Sequence, residues 1–147
     1  MATNAFLGKG AAVYKGDTTG PTGFVKVAET RSFTGISQEG GEVEVTHLDS
    51  TVEEFIAGFP VADNIPVSSN WDPTSATHDE ATGIIAEFDA GTTRYWKLEW
   101  RNAAGAIVKH MTFTGFVRKW NLSETNPKSE VRLEWEIRRT SAPTWGP

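Results

Sequence analysis

The chain has 147 residues, 38% of them hydrophobic and 22% charged, a balance that suits one folded domain with a real core and excludes a disordered or collagen-like chain. It has no cysteine, which excludes disulfides, thiolate metal sites and cysteine nucleophiles and fits synthesis in a reducing cytoplasm. The net charge of −5 is uneven: residues 1–75 carry 4 Lys/Arg against 10 Asp/Glu, a balance of −6, and residues 76–147 carry 10 against 9, a balance of +1. The acidic half lacks the basic surface on which nucleic-acid binding depends.

Along the first half, AAVYK, FVKVAET and EVEVTH read as strands, separated by the turn-rich GDTTGPTG and by Glu39-Gly40-Gly41. In EVEVTH, Val43 and Val45 face one way and Glu42, Glu44 and Thr46 the other. Residues 47–64 fit neither strand nor helix periodicity and form an expected long loop. Val52, Phe55, Ile56, Phe59 and Val61 give that loop apolar surface, to be covered either by its own domain or by a neighbour. Its acidic group of Asp49, Glu53 and Glu54 lacks the alternating ligands of a calcium loop and reads as solvated.

PVSSNW is a further short strand. A helix is expected next, opened by a capping box of Thr77 and Glu80 and closed by Gly91. Its apolar stripe is Ala81, Ile84, Ile85 and Phe88, with Gly83 costing roughly 1 kcal/mol against Ala. The strongest strand signals lie beyond it. In TTRYWKLEWRN, Trp96, Leu98 and Trp100 alternate with Tyr95, Lys97, Glu99 and Arg101, and in SEVRLEWEIRR, Val131, Leu133, Trp135 and Ile137 alternate with charge. Between them, the Ala104-Gly105 turn leads into AIVKHMTFTGFVRKWNL, where Met111, Phe113 and Val117 share a register. A bulge at Gly115-Phe116 is expected to shift that register towards Trp120 and Leu122.

No catalytic constellation emerges. His47, His78 and His110 lie in no metal-ligand spacing, and His78-Asp79-Glu80 reads as helix-start chemistry. No nucleophile turn or phosphate loop is present, so catalytic, cofactor and metal residues are all expected to be none. Trp96, Trp100 and Trp135 read as core rather than as a sugar platform, while Trp145 sits on a tail expected to dock on a neighbour. No apolar run approaches the ~20 residues that span a bilayer. The N-terminus MATNAFLGKGAAVYKG shows no signal-peptide pattern.

Over about residues 11–139 the order of features resembles the major tail tube proteins of long-tailed bacteriophages and gene transfer agents. The resemblance rests on ETRSFTGISQEGGEVEVTHLDS, EEFIAGFPVADNIPVSSNW, THDEATGIIAEFDAGTTRYWKLEW and TFTGFVRKWNL, with the step Thr46, His47, Leu48, Asp49 before the long loop and the late strand Thr112 to Phe116. It implies a mainly β protein, an antiparallel β-sandwich or half-open barrel with one flanking α-helix, as a single domain over 1–147 with residues 1–10 and 140–147 as terminal arms. It further implies a homo-oligomer of hexameric rings that stack into a tube in the virion tail, assembled in the bacterial host cytoplasm. Tail tip and terminator proteins would be its partners, double-stranded DNA would pass without specific binding, and no membrane would be involved. Glu42, Glu44 and Thr46 would face the lumen and repel DNA phosphates. Asp49, Glu53, Glu54, Phe55, Ile56 and Phe59 would belong to the inter-ring loop. Two other readings stand beside it: the tube of a contractile secretion system, and a Trp-rich carbohydrate-binding β-sandwich.

Overall fold

The computed structural model describes residues 10–58, 61, 62, 64–102 and 104–146. In chain order the strands are β1 (Ala12–Lys15), β2 (Val25–Lys26), β3 (Thr30–Phe33), β4 (Gln38–Glu39), β5 (Glu42–Glu44), β6 (Phe55–Ala57), β7 (Val61–Ala62) and β8 (Asn64–Asn70). The helix α1 (Ile84–Ala90) follows, then β9 (Arg94–Arg101), β10 (Ile107–Leu122), β11 (Arg132–Arg139) and β12 (Thr144–Gly146). The fold is mainly β, with a large antiparallel sheet in the order β2-β1-β9-β10-β11-β8-β3 and β12 also on β10. The large sheet curls until Phe33 of its edge strand β3 meets Trp100 of β9, with ring centroids 5.8 Å apart, but it does not close into a barrel.

Alternation in the second half sets the core. Trp96 and Leu98 of β9, Met111, Phe113 and Val117 of β10, and Leu133, Trp135 and Ile137 of β11 are all buried. Trp96 and Trp135 lie 5.6 Å apart, an aromatic pair that adds about 1 kcal/mol to the apolar area it buries. Their ring N–H groups are satisfied: Trp96 donates to the Gly115 carbonyl at 3.1 Å and Trp135 to the buried Ser69 hydroxyl at 3.4 Å. A β-carbon at Gly115 would stand 2.5 Å from the Arg138 carbonyl, so the strands approach there only because the residue is glycine. The register shift in β10 falls between Val117 and Lys119, later than the glycine signal suggested. Its effect is the expected one, since Trp120 and Leu122 then pack against the core.

The helix begins later than the sequence suggests. Asp79 Oδ1 accepts from the amides of Ala81, Thr82 and Gly83, capturing in a local turn the donors that a helix start would present. Thr77 meanwhile accepts from the Ala28 amide at 3.1 Å. No capping box forms, and the helix runs Ile84–Ala90 from Gly83 to the left-handed Gly91 at φ 63°. Its buried residues are Ile84 and Glu87, while Phe88 is exposed. Glu87 is held by Arg94 at 2.7 Å and Lys15 at 3.5 Å, which ties α1 to β9 and β1.

His78 is fully buried. Its Nδ1 accepts from the Asp72 amide at 3.0 Å and its Nε2 lies 2.6 Å from the Ala28 carbonyl. It therefore works as a backbone staple that fixes the turns before α1. Trp145 on β12 stacks on Trp100 of its own chain at 5.9 Å, where the sequence pointed to a neighbour, and keeps about half of its surface exposed.

Candidate assembly surface

The segment expected as a loop is half of a hairpin arm. β4 pairs with β7 through Gln38↔Ala62 and Glu39↔Val61. β5 pairs with β6 through Glu42↔Ala57, Val43↔Ile56 and Glu44↔Phe55. The amides of Gly58 and Val45 extend this ladder at both ends, to the Gly41 and Glu54 carbonyls at 2.6 and 2.8 Å. The tip is organised locally: Ser50 donates its amide to the His47 carbonyl and its hydroxyl to Glu54 at 2.8 Å, and His47 Nε2 lies 3.4 Å from the same carboxylate.

The pairing sets Glu42, Glu44, Phe55 and Ala57 on one face and Val43 and Ile56 on the other. Val43, Val45, Leu48, Val52, Phe55 and Ile56 are all exposed, Leu48 completely at 105%. An isolated two-stranded hairpin is marginal in water, and contiguous exposed apolar side chains mark an interaction surface. Across 38–62 the arm carries six acids, Glu39, Glu42, Glu44, Asp49, Glu53 and Glu54, and no Lys or Arg. Glu42, Glu44 and Thr46 all lie on the arm and are exposed, as are Asp49, Glu53 and Glu54. Phe59 lies outside the described residues.

Besides β2, which ends the main sheet on one side, the described residues leave two further open edges. Among the described residues no strand pairs with the outer side of β3, and β10 beyond Gly115 pairs only with β11 because the β9 ladder ends at Gly115↔Arg94. Such edges recruit strands from other chains unless something covers them.

On the outer face of β1 and β9 lies an ionic network. Glu99 is 2% exposed although alternation assigned it to the wet face. Lys97 at 3.1 Å, Arg101 at 2.7 Å and the Tyr14 hydroxyl at 3.3 Å surround it. Burial alone would raise its pKa, but the hydrogen bonds and charges of Lys97 and Arg101 outweigh that and hold the carboxyl below its ordinary value. Lys97 also sits over the rings of Tyr14 and Phe24 at 4.7 and 4.8 Å. The missed signal was Glu99 flanked on its own face by two cations.

The three histidines stand on the arm tip, in the buried turn and on β10, and no group of three or more His, Asp or Glu is placed to hold a metal among the described residues. An open groove of about 470 Å³ on the outer face of β8 and β11 is lined by Ser32, Ser68, Lys119, Glu134 and Glu136. There Arg118 and Lys119 already pair with Glu136, at 2.8 and 3.6 Å.

No protein-family model and no curated protein sequence matches the chain. Among solved structures it is similar to a chain of the PVC extracellular contractile injection system, from its sheath/tube terminator in the extended state, with TM-score 0.76, 11% identity and 100% of each chain covered. It is also similar to a chain from the tail of an empty gene transfer agent particle, with TM-score 0.70, 20% identity, and 97% of this chain and 100% of that one covered. A third is the SPP1 tail tube, with TM-score 0.69, 10% identity and coverage of 96% and 78%. The chain therefore shares its fold with chains of a tail tube, a gene transfer agent tail and a contractile injection system.

Proposed function

We propose that the chain is a structural tail tube subunit of a bacteriophage or gene transfer agent, acting by self-assembly and not by catalysis. The observation that carries this is the acidic and apolar arm, whose large apolar side chains stand exposed among the described residues. In an assembled tube the arm's tip and its Val43 and Ile56 face are buried against a subunit of the next ring while its Glu42 and Glu44 face stays open to the bore, and the free edges of β3 and of β10 beyond Gly115 join neighbours within a ring. Hexameric rings accord with the C6 symmetry stated for the gene transfer agent tail. Tail tip and terminator proteins are its partners at the tube ends, and the assembled virion tail, built in the host cytoplasm, is its location.

Glu42, Glu44 and Thr46 face the lumen in this scheme, so that repeated carboxylates repel DNA phosphates and the genome slides without binding. A second reading, the tube of a contractile injection system, is favoured by the full-length likeness to the PVC chain. The sugar-binding reading loses its platform, because Trp96 and Trp135 are buried and Trp100 is covered by Phe33 and Trp145.

Electron microscopy of the concentrated protein is expected to show rings and tubes. Tubes of the parent should leave duplex DNA unbound, whereas tubes of an E42K/E44K variant should retain it. Monomers alone, retained on polysaccharide, would overturn the proposal, and equal DNA retention by both tubes would remove these residues from the lumen.

A further inference from the structure

The arm leaves the sheet through two short roots, and both are held by the end of β11. On the first root, β3 ends at Phe33, and residues 34–37 lead into β4. On the second, Asn64 opens β8 and pairs with Arg138 of β11. Arg138 Nη1 donates to Asn64 Oδ1 at 3.3 Å, and Arg139 Nη2 donates to the Ser37 carbonyl. Successive strand residues point to opposite faces, so the two arginines grip the two roots from opposite sides of the sheet.

Arg139 is only 4% exposed and continues the buried row Leu133, Trp135, Ile137. An apolar residue would be the ordinary occupant of that place, because burying a guanidinium costs several kcal/mol before its hydrogen bonds offset it. A charge-assisted bond shielded from water is also stronger than an exposed one. Between the roots, Gly35 adopts φ +77°, and a β-carbon there would stand 2.3 Å from the Asn64 carbonyl and 2.9 Å from Pro66 Cδ. Thr34 closes the contact by donating its amide to the Pro66 carbonyl at 3.0 Å.

We infer that Arg138, Arg139 and Gly35 form a clamp that fixes the direction in which the arm leaves the sheet. Arg139 is its central positioning residue. The purpose of the clamp rests on the proposed role in assembly: an arm held in one orientation loses less conformational freedom when it docks on a second copy. Its existence does not depend on that role.

The chain lacks cysteine, so spin labels at T51C on the arm tip and K128C on the body report the arm's direction by pulsed electron resonance. The parent is expected to give one narrow distance distribution. R139M is expected to lose it, with the hairpin's own amide protection retained, and R139K to recover part of it. Should R139M fail to fold by circular dichroism, G35A carries the test, since its added methyl would meet Asn64 and Pro66 where the second root enters β8, and it too is expected to lose the narrow distribution. A parent-like distribution in R139M, or in G35A where R139M does not fold, overturns the clamp. Tube formation is scored separately: a lost distribution in a protein whose parent never forms tubes keeps the clamp and overturns the proposed function.

Discussion

At the residue scale, the side chains that depart from simple patterning are the ones that hold the molecule together. Glu99, His78 and Arg139 are polar residues buried at 2%, 0% and 4% exposure, and each is matched by partners of opposite character. Alternation put Glu99 on the face away from the core, and it is buried there all the same because Lys97, Arg101 and Tyr14 cover it. Because the folded-state pKa of Glu99 is depressed, its contribution is present above the ordinary carboxylate pKa near 4.3 and is lost as pH falls through the lower folded value. E99Q is therefore expected to destabilise the protein by about 1–3 kcal/mol at neutral pH. Chemical denaturation should show the gap between parent and variant narrowing below about pH 4. A gap that stays constant down to pH 3 would mean that Glu99 acts by shape and not by charge.

At the element scale, legibility followed burial. β9, β10 and β11 each lay one face on the core, so their period of two is written plainly in Trp96 and Leu98, in Met111 and Phe113, and in Leu133, Trp135 and Ile137. The arm is the opposite case. Neither face of its β5 and β6 ladder lies on a core, so Phe55 shares a face with Glu42 and Glu44 and no clean alternation marks β6. The sequence therefore showed an apolar and acidic segment but not its pairing. The start of α1 was misread because Thr77 turns to the Ala28 amide and Asp79 takes the amides of Ala81, Thr82 and Gly83, a competition between local motifs that spacing alone does not rank. The arm's separate stability gives a direct prediction. Replacing residues 45–54 by a tight turn is expected to leave the thermal midpoint of the body nearly unchanged while abolishing tubes. An arm-shortened protein that still forms tubes would reject the stacking role.

At the scale of the whole molecule, the candidate surface follows from uneven distribution. All of the arm's charge is negative, and a run of large apolar side chains stands exposed beside it. Burying a side chain such as Leu48, Val52 or Ile56 contributes about 2 kcal/mol each, enough across several of them to offset the cost of association. The half of the chain read as acidic is thus the half that reaches out, and the half with balanced charge supplies most of the sheet. The family resemblance gave the sequence reading its direction, and the shared fold supports it; the hairpin form of the arm and its clamped roots became visible only in three dimensions. Hydroxyl-radical footprinting of dilute and concentrated protein tests the central claim most directly. Leu48, Val52 and Ile56 are expected to be heavily labelled in the dilute chain and to lose most of that labelling on assembly; assemblies in which these three side chains stay as reactive as in the monomer would contradict it.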